Sequence, residues 1–156
     1  MKFRFPIVII DEDFRSENSS GLGIRAMAEA IENEGFDVLG VTSYGDLSQF
    51  AQQSRASAFV LSIDDEEFSP GPDDDPVIEN LRSFIREVRR KNEDVPIYVY
   101  GETKTSRHLP NDILRELHGF IHMFEDTPEF VARHIIREAK SYLESIQPPF
   151  FKALLD

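Results

Sequence analysis

The chain has no cysteine. That one absence removes disulfides, thiolate nucleophiles and thiolate metal ligands together, and it fits the cytoplasm as the expected compartment. Positive charge is scarce as well: 17 lysines and arginines stand against 29 aspartates and glutamates, a formal net charge of -12. A field of that sign repels nucleic acid and anionic membrane, so neither is expected as a partner. It also makes copies of the chain repel one another at neutral pH, less so as carboxylates approach their reference pKa of about 4. No apolar run approaches the ~20 residues of a membrane span. The opening Met1 to Pro6 reads as the approach to a strand, not a signal peptide. The four histidines are scattered, with His118 and His134 expected on helices, His122 on a strand and His108 in a loop. No nucleophile with a placed base is visible, and no catalytic, cofactor or metal residue is assigned.

What is present is a regular alternation. At 156 residues the chain is expected to be one domain, able to bury roughly 70% of its unfolded surface. Short apolar runs rich in β-formers recur at Phe5 to Ile10, Phe36 to Thr42, Ala58 to Ile63, Val95 to Tyr100 and Phe120 to Phe124. Runs apolar on both faces belong to buried parallel strands. Between them lie helical patterns. One runs from Gly21 to Glu34, with Ile24, Met27, Ala28 and Ile31 at helical spacing and Gly35 at the C-terminal cap. Asp46 is placed to cap a short helix carrying Leu47, Phe50 and Ala51. Asp75-Pro76 opens a third helix whose buried stripe includes Leu81, Phe84, Ile85 and Val88 and whose last turns are basic. A short helix spans Pro110 to His118, and a last one follows Thr127-Pro128 to about Ser145.

Five strands alternating with five helices predict an α/β fold, a flavodoxin-like (receiver-like) three-layer sandwich. Its five-stranded parallel sheet should have the order 2-1-3-4-5. Right-handed crossovers then put every strand's carboxyl end on one rim. Asp11, Asp13, Asp64, Asp65 and Thr103 should gather there.

That rim has three readings. In the positions of the acids and the hydroxyl it resembles a response-regulator receiver, with Asp11 and Asp13 as a metal-binding pair, Asp64 as phosphoacceptor and Thr103 as switch hydroxyl. The receiver also needs a lysine after the fifth strand, where this chain has Glu125 and Asp126. A carboxylate pair in place of that cation worsens the repulsion of a phosphoryl group. The second reading, a paired-carboxylate hydrolase, lacks a nucleophile. The third, a solvated acidic rim, is the one the residues favour. The loose dinucleotide pattern at Gly21-Leu-Gly23-Ile-Arg-Ala26 fails on context, because ten residues separate it from the first strand.

The end of the chain is different in kind. Ile146-Gln-Pro-Pro stops the last helix, and Phe150, Phe151, Leu154 and Leu155 follow within a few residues. Such density seeks a partner surface, and the expected division is residues 1–146 as the domain and 147–156 as the start of a linker.

Asp94-Val-Pro-Ile-Tyr-Val-Tyr-Gly101, Glu125-Asp-Thr-Pro-Glu-Phe130 and above all Pro148-Pro-Phe-Phe-Lys-Ala-Leu154 resemble the N-terminal, or wing, domain of the bacterial ornithine/lysine/arginine decarboxylases. The flavour is nearest the inducible arginine enzyme, and the resemblance runs the length of the chain. It implies a flavodoxin-like module without catalytic residues and without a cofactor of its own. The parent would be an amino-acid decarboxylase, a carbon–carbon lyase with pyridoxal phosphate in a later domain. The implied partners are the parent's other domains and subunits in a homo-oligomer, a decamer in the best-known members. The acidic charge then suggests assembly that strengthens as the cytoplasm acidifies. The alternative is a degenerate receiver serving as a protein interaction module.

Overall fold

The computed structural model describes residues 5–11, 14–43, 46–47, 49–50, 54–62, 76–91, 93–101, 109–122 and 126–146. In chain order the elements are β1 (Ile7–Ile10), α1 (Ser19–Asn33), β2 (Val38–Val41), β3 (Ala58–Ser62), α2 (Pro76–Lys91), β4 (Ile97–Gly101), α3 (Asn111–Leu114), β5 (Gly119–His122) and α4 (Pro128–Ile146). The five strands form one parallel sheet in the order β2-β1-β3-β4-β5, as the alternation predicts.

β1 and β3 are buried at every described side chain. They have neighbours on both sides and helices on both faces, which is why their sequences are apolar throughout and do not alternate. Two ring contacts assign the faces. Phe59 of β3 meets Phe84 of α2 edge-on at 5.2 Å. Tyr98 of β4 meets His134 of α4 edge-on at 5.6 Å. Phe59 pairs with Ile97, so Tyr98 is one residue further and points the other way. α2 therefore covers one face and α4 the other, and α1 packs beside α4.

The element ends carry local reasons. α1 begins at Ser19, two residues before the expected start, because Asn18 caps it: its Oδ1 accepts from Gly21 N at 2.8 Å. It ends at Gly35, whose φ of 101° only glycine adopts cheaply and whose N–H donates to Glu32 O at 3.0 Å. After β2, residues 46, 47, 49 and 50 are helical. There Ser43 Oγ accepts from Asp46 N at 3.2 Å, so the cap is Ser43 and not Asp46.

α3 is one turn, not the two or more expected up to His118. Its chain is already committed to the sheet at that point: His118 N donates to Ile97 O at 2.7 Å. The His118 ring accepts in return, Nδ1 from Ile97 N at 3.4 Å. His118 thus lies at the threshold of β5 and not on a helix.

Candidate functional site

The strands' carboxyl ends define the rim expected to hold the acidic residues. Asp11 follows β1 directly and is described; Asp13, Asp64, Asp65 and Thr103 lie outside the described residues, as do the clusters at 64–67 and 73–75 and the segment 147–156. Asp11 is not a solvated rim carboxylate. It is 4% exposed, with its N–H on Val41 O at 3.1 Å and its own carbonyl accepting from Phe14 N at 3.0 Å.

The residue beside it is one that sequence reasoning missed. Tyr100, near the end of β4, is 8% exposed. Burial, and after it the negative charge of Asp11, pushes its phenol above the ordinary range. A phenol so placed stays protonated at neutral pH and cannot act as a base. Its hydroxyl reaches α1, where a Cβ added at Gly23 would lie 3.7 Å away. The glycines of the loose dinucleotide pattern thus belong to the first turns of α1, and Gly23 sits under a tyrosine.

The loop between β1 and α1 is held from the helix side. Arg25 Nη1 donates to Phe14 O at 2.6 Å and to Ser16 O at 2.8 Å. The Phe14 ring is laid over Gly40 in β2, where an added Cβ would fall 2.5 Å from Phe14 Cζ. In the described part of the rim Arg25 thus ties Phe14 and Ser16 to α1, and Asp11 and Tyr100 lie buried near each other. Only the apolar run of β1 and the helical spacing of α1 were readable beforehand; an arginine bound to carbonyls nine and eleven residues away leaves no local pattern.

Among the described residues a second concentration of polar groups lies toward the opposite end of the sheet. Arg89 of α2 donates to Glu116 Oε2 at 2.8 Å, to Val95 O at 2.9 Å and to Glu116 O at 3.0 Å. Arg82 Nε and Nη2 reach Asp112 at 2.7 and 3.2 Å, and Nη1 reaches Glu79 Oε1 at 2.6 Å. The bidentate contact holds the Asp112 carboxyl below the usual range. An open cavity of about 280 Å³ lies between Arg89, Glu93, Asp94, Arg115, Glu116 and His118.

Tyr98 lies beneath α4, between the rings of His118 and His134 at 6.2 and 5.6 Å. Its hydroxyl is buried with no hydrogen-bond partner among the described residues. Burial, then Glu138, pushes that phenol far above its ordinary value. Burial, then Arg89, lowers the pKa of His118, which suits a ring whose Nδ1 must stay unprotonated to accept from Ile97. Among the described residues no group of three histidines, aspartates or glutamates is placed to hold a metal ion.

Comparison with known proteins matches this arrangement to whole-chain relatives. The chain is 28% identical over 156 residues to the lysine decarboxylase LdcA of Pseudomonas aeruginosa, covering 98% of this chain and 20% of that protein. It is 25% identical over 151 residues to the biodegradative arginine decarboxylase of Escherichia coli, covering 96% of this chain and 19% of that one. It therefore spans about a fifth of the length of the curated relatives it matches. The solved structure of lysine decarboxylase A from Pseudomonas aeruginosa superposes with a TM-score of 0.82 at 27% identity, over 99% of this chain and 20% of that one. A CheY-like receiver domain from Methanospirillum hungatei superposes with a TM-score of 0.62 at 11% identity, over 92% of this chain and 99% of that one, a likeness of fold. Residues 19–142 match the Orn/Lys/Arg decarboxylase N-terminal domain, and the chain belongs to that family.

Proposed function

We propose that this chain is the non-catalytic wing domain of a pyridoxal-phosphate-dependent basic amino-acid decarboxylase, and that it acts in assembly. The observation that carries the reading is the family match over residues 19–142 in a chain that spans a fifth of its relatives. The decarboxylation itself belongs to the remaining four fifths of the parent, where pyridoxal phosphate would supply the electron sink. The residues described here do not fit that cofactor: Lys140 is exposed on α4, and no described cavity is lined by a lysine. In this reading residues 1–146 form the domain and 147–156 lead toward the cofactor domain. The cytoplasm is the matching compartment.

Removing residues 1–156 from the parent tests it. The shortened enzyme should keep its pyridoxal-phosphate absorbance and decarboxylase activity but sediment as a smaller species. Lost cofactor binding with an unchanged assembly would overturn the reading.

The acidic balance gives the assembly a direction in pH. With -12 on 156 residues, repulsion between subunits weakens as carboxylates protonate. Full-length protein should sediment as larger species near pH 5 than near pH 7, and an unchanged distribution would remove the pH dependence. The receiver reading has the fold in its favour and nothing more, since likeness of fold does not carry function.

A further inference from the structure

We infer that His118 is an acid-operated pin: neutral, it fastens the start of β5 to β4, and protonated, it releases Ile97 and turns into the cavity beside it. The inference concerns the domain itself and does not rest on the assembly reading.

The β4–β5 ladder begins at the pair Tyr98 and Gly119, so Ile97 lies one residue short of it. Ile97 is fully buried, and a buried N–H needs an acceptor from the chain. The His118 ring is that acceptor, with Nδ1 at 3.4 Å, while the His118 backbone N–H donates back to Ile97 O at 2.7 Å. One residue thus makes both ends of a bridge, and a side chain stands where a backbone carbonyl would ordinarily begin the ladder. A neutral ring accepting at Nδ1 carries its proton on Nε2, so a second proton goes to Nδ1 and faces the Ile97 N–H, donor against donor.

The charged groups around the ring give it two seats. On Ile97 it has the Tyr98 ring of β4 at 6.2 Å and Arg89 of α2, which opposes a positive charge there. From α4, His134 opposes that charge as well and Glu138 favours it. The second seat is the open cavity of about 280 Å³ that His118 lines. The α2–β4 connection brings Glu93 and Asp94 to it, and the segment after α3 brings Arg115 and Glu116. Its three carboxylates outnumber its two arginines, and one of those, Arg89, is already engaged by Glu116 and Val95 O. The neutral ring therefore belongs on Ile97 and the imidazolium among the carboxylates. Burial, and after it Arg89, keep the ring neutral to lower pH than an ordinary imidazole, so the pin holds at neutral pH and lets go in mild acid. Imidazole is the side chain whose charge ordinarily changes in that range. Release leaves the Ile97 N–H without its acceptor and loosens the entry to the edge strand β5.

Amide hydrogen exchange of the isotope-labelled 156-residue chain, followed by NMR and corrected for the intrinsic pH dependence of exchange, tests this. The reference is Phe59 N–H, which donates to Pro96 O within the sheet. Relative to it, Ile97 N–H should lose at least tenfold in protection between pH 7.5 and pH 5.5. The ring nitrogen shifts of His118 should show the Nε2–H form at pH 7.5 and titrate with the same midpoint. His118→Gln supplies a carbonyl that accepts at either pH, so it should keep Ile97 protected in acid. His118→Leu, with no acceptor, should leave Ile97 unprotected at both pH values; where that variant fails to fold, wild type and His118→Gln carry the test. His134→Gln should behave as wild type does. Unchanged protection of Ile97, a ring protonated on Nδ1 at pH 7.5, or a parallel loss at Phe59 would overturn the pin, the last by making the loosening global. A His118→Gln variant that still loses Ile97 protection in acid, or a His134→Gln variant that no longer does, would place the sensor elsewhere and overturn it too. The assembly role is decided separately, by removing residues 1–156 from the parent.

Discussion

The two edges of the sheet solve the same problem differently. Each edge strand contains a glycine with an aromatic ring laid across it: Phe14 over Gly40 on β2, Tyr98 over Gly119 on β5. On β2 the ring comes from a connecting loop and is fixed through its backbone, by the Arg25 contact to Phe14 O. On β5 the ring comes from the neighbouring strand, since Tyr98 pairs with Gly119 in register. A ring brought in from a loop sits closer than a ring built on the sheet. An added Cβ would meet Phe14 Cζ at 2.5 Å but Tyr98 Cδ1 at 3.4 Å. The first glycine is a steric necessity; the second is close to a convenience. The β5 edge carries a different burden, a buried hydroxyl with no partner among the described residues.

The largest effect that can break this comparison is at Gly40. Gly40→Ala forces the Phe14 ring out of its seat and should cost roughly 2–3 kcal/mol, the scale of overpacking in a fitted site. Urea unfolding followed by circular dichroism reads it. If the ring is the cause, the two sites are coupled: in a Phe14→Ala background the further change Gly40→Ala should cost almost nothing. Equal costs in both backgrounds would place the demand for glycine in the backbone instead.

Next in size is Tyr98→Phe, of opposite sign. The ring keeps its contacts with His118 and His134, and the variant no longer desolvates a hydroxyl that no described residue repays. Burying an unsatisfied polar group costs about 1–3 kcal/mol, so the variant should be more stable by about 1 kcal/mol. A loss of stability would mean the hydroxyl is paired in solution.

These particulars also mark how far the sequence could be read. The apolar runs fixed the five strands and, with the crossover rule, their order, because burial on both faces leaves an unmistakable composition. The cap at Gly35 was legible because a residue with positive φ selects glycine. Of the rim residues expected at strand ends only Asp11 falls among the described residues, and its burial was not legible. It lies near Tyr100, almost ninety positions away, and nothing local to Asp11 records that. The end of α3 was misplaced for a related reason. The pattern at Leu114 and Leu117 is helical, yet a hydrogen bond from His118 to Ile97 draws the chain into the sheet first.

His118 gives the next, smaller effect. Its pKa lies below the ordinary 6.5 in the folded chain, through burial and Arg89. Below about pH 6.5 the unfolded chain takes up a proton that the folded chain resists. Stability present above that pH is therefore lost as pH falls toward the folded pKa. Protonation at Nδ1 would also turn the acceptor of Ile97 N–H into a donor. Urea midpoints should be lower near pH 5.5 than near pH 7.5, and His118→Gln should flatten that difference. The Asp112–Arg82 pair does not confuse the result. The Asp112 carboxyl is held below its ordinary 3.8, so its contribution is lost only at more acid pH. An undiminished slope in the variant would assign the effect to other groups.

The smallest effect is the one that sharpens the contrast most. At Gly119 an added methyl would lie 3.4 Å from Tyr98 Cδ1 and Cε1, ordinary contact with a ring face. It would also remove the extra backbone freedom glycine has in the unfolded chain, worth about 0.4–1 kcal/mol where the native backbone suits alanine. Gly119 has no positive φ to forbid the change. Gly119→Ala should thus leave the urea midpoint unchanged or raise it slightly, while the same chemical change at Gly40 lowers it by several times as much. If both substitutions cost alike, the edges are equivalent and the origin of the covering ring does not matter. If only Gly40→Ala is costly, what fixes glycine at a sheet edge is how the ring above it is anchored, not the presence of the ring.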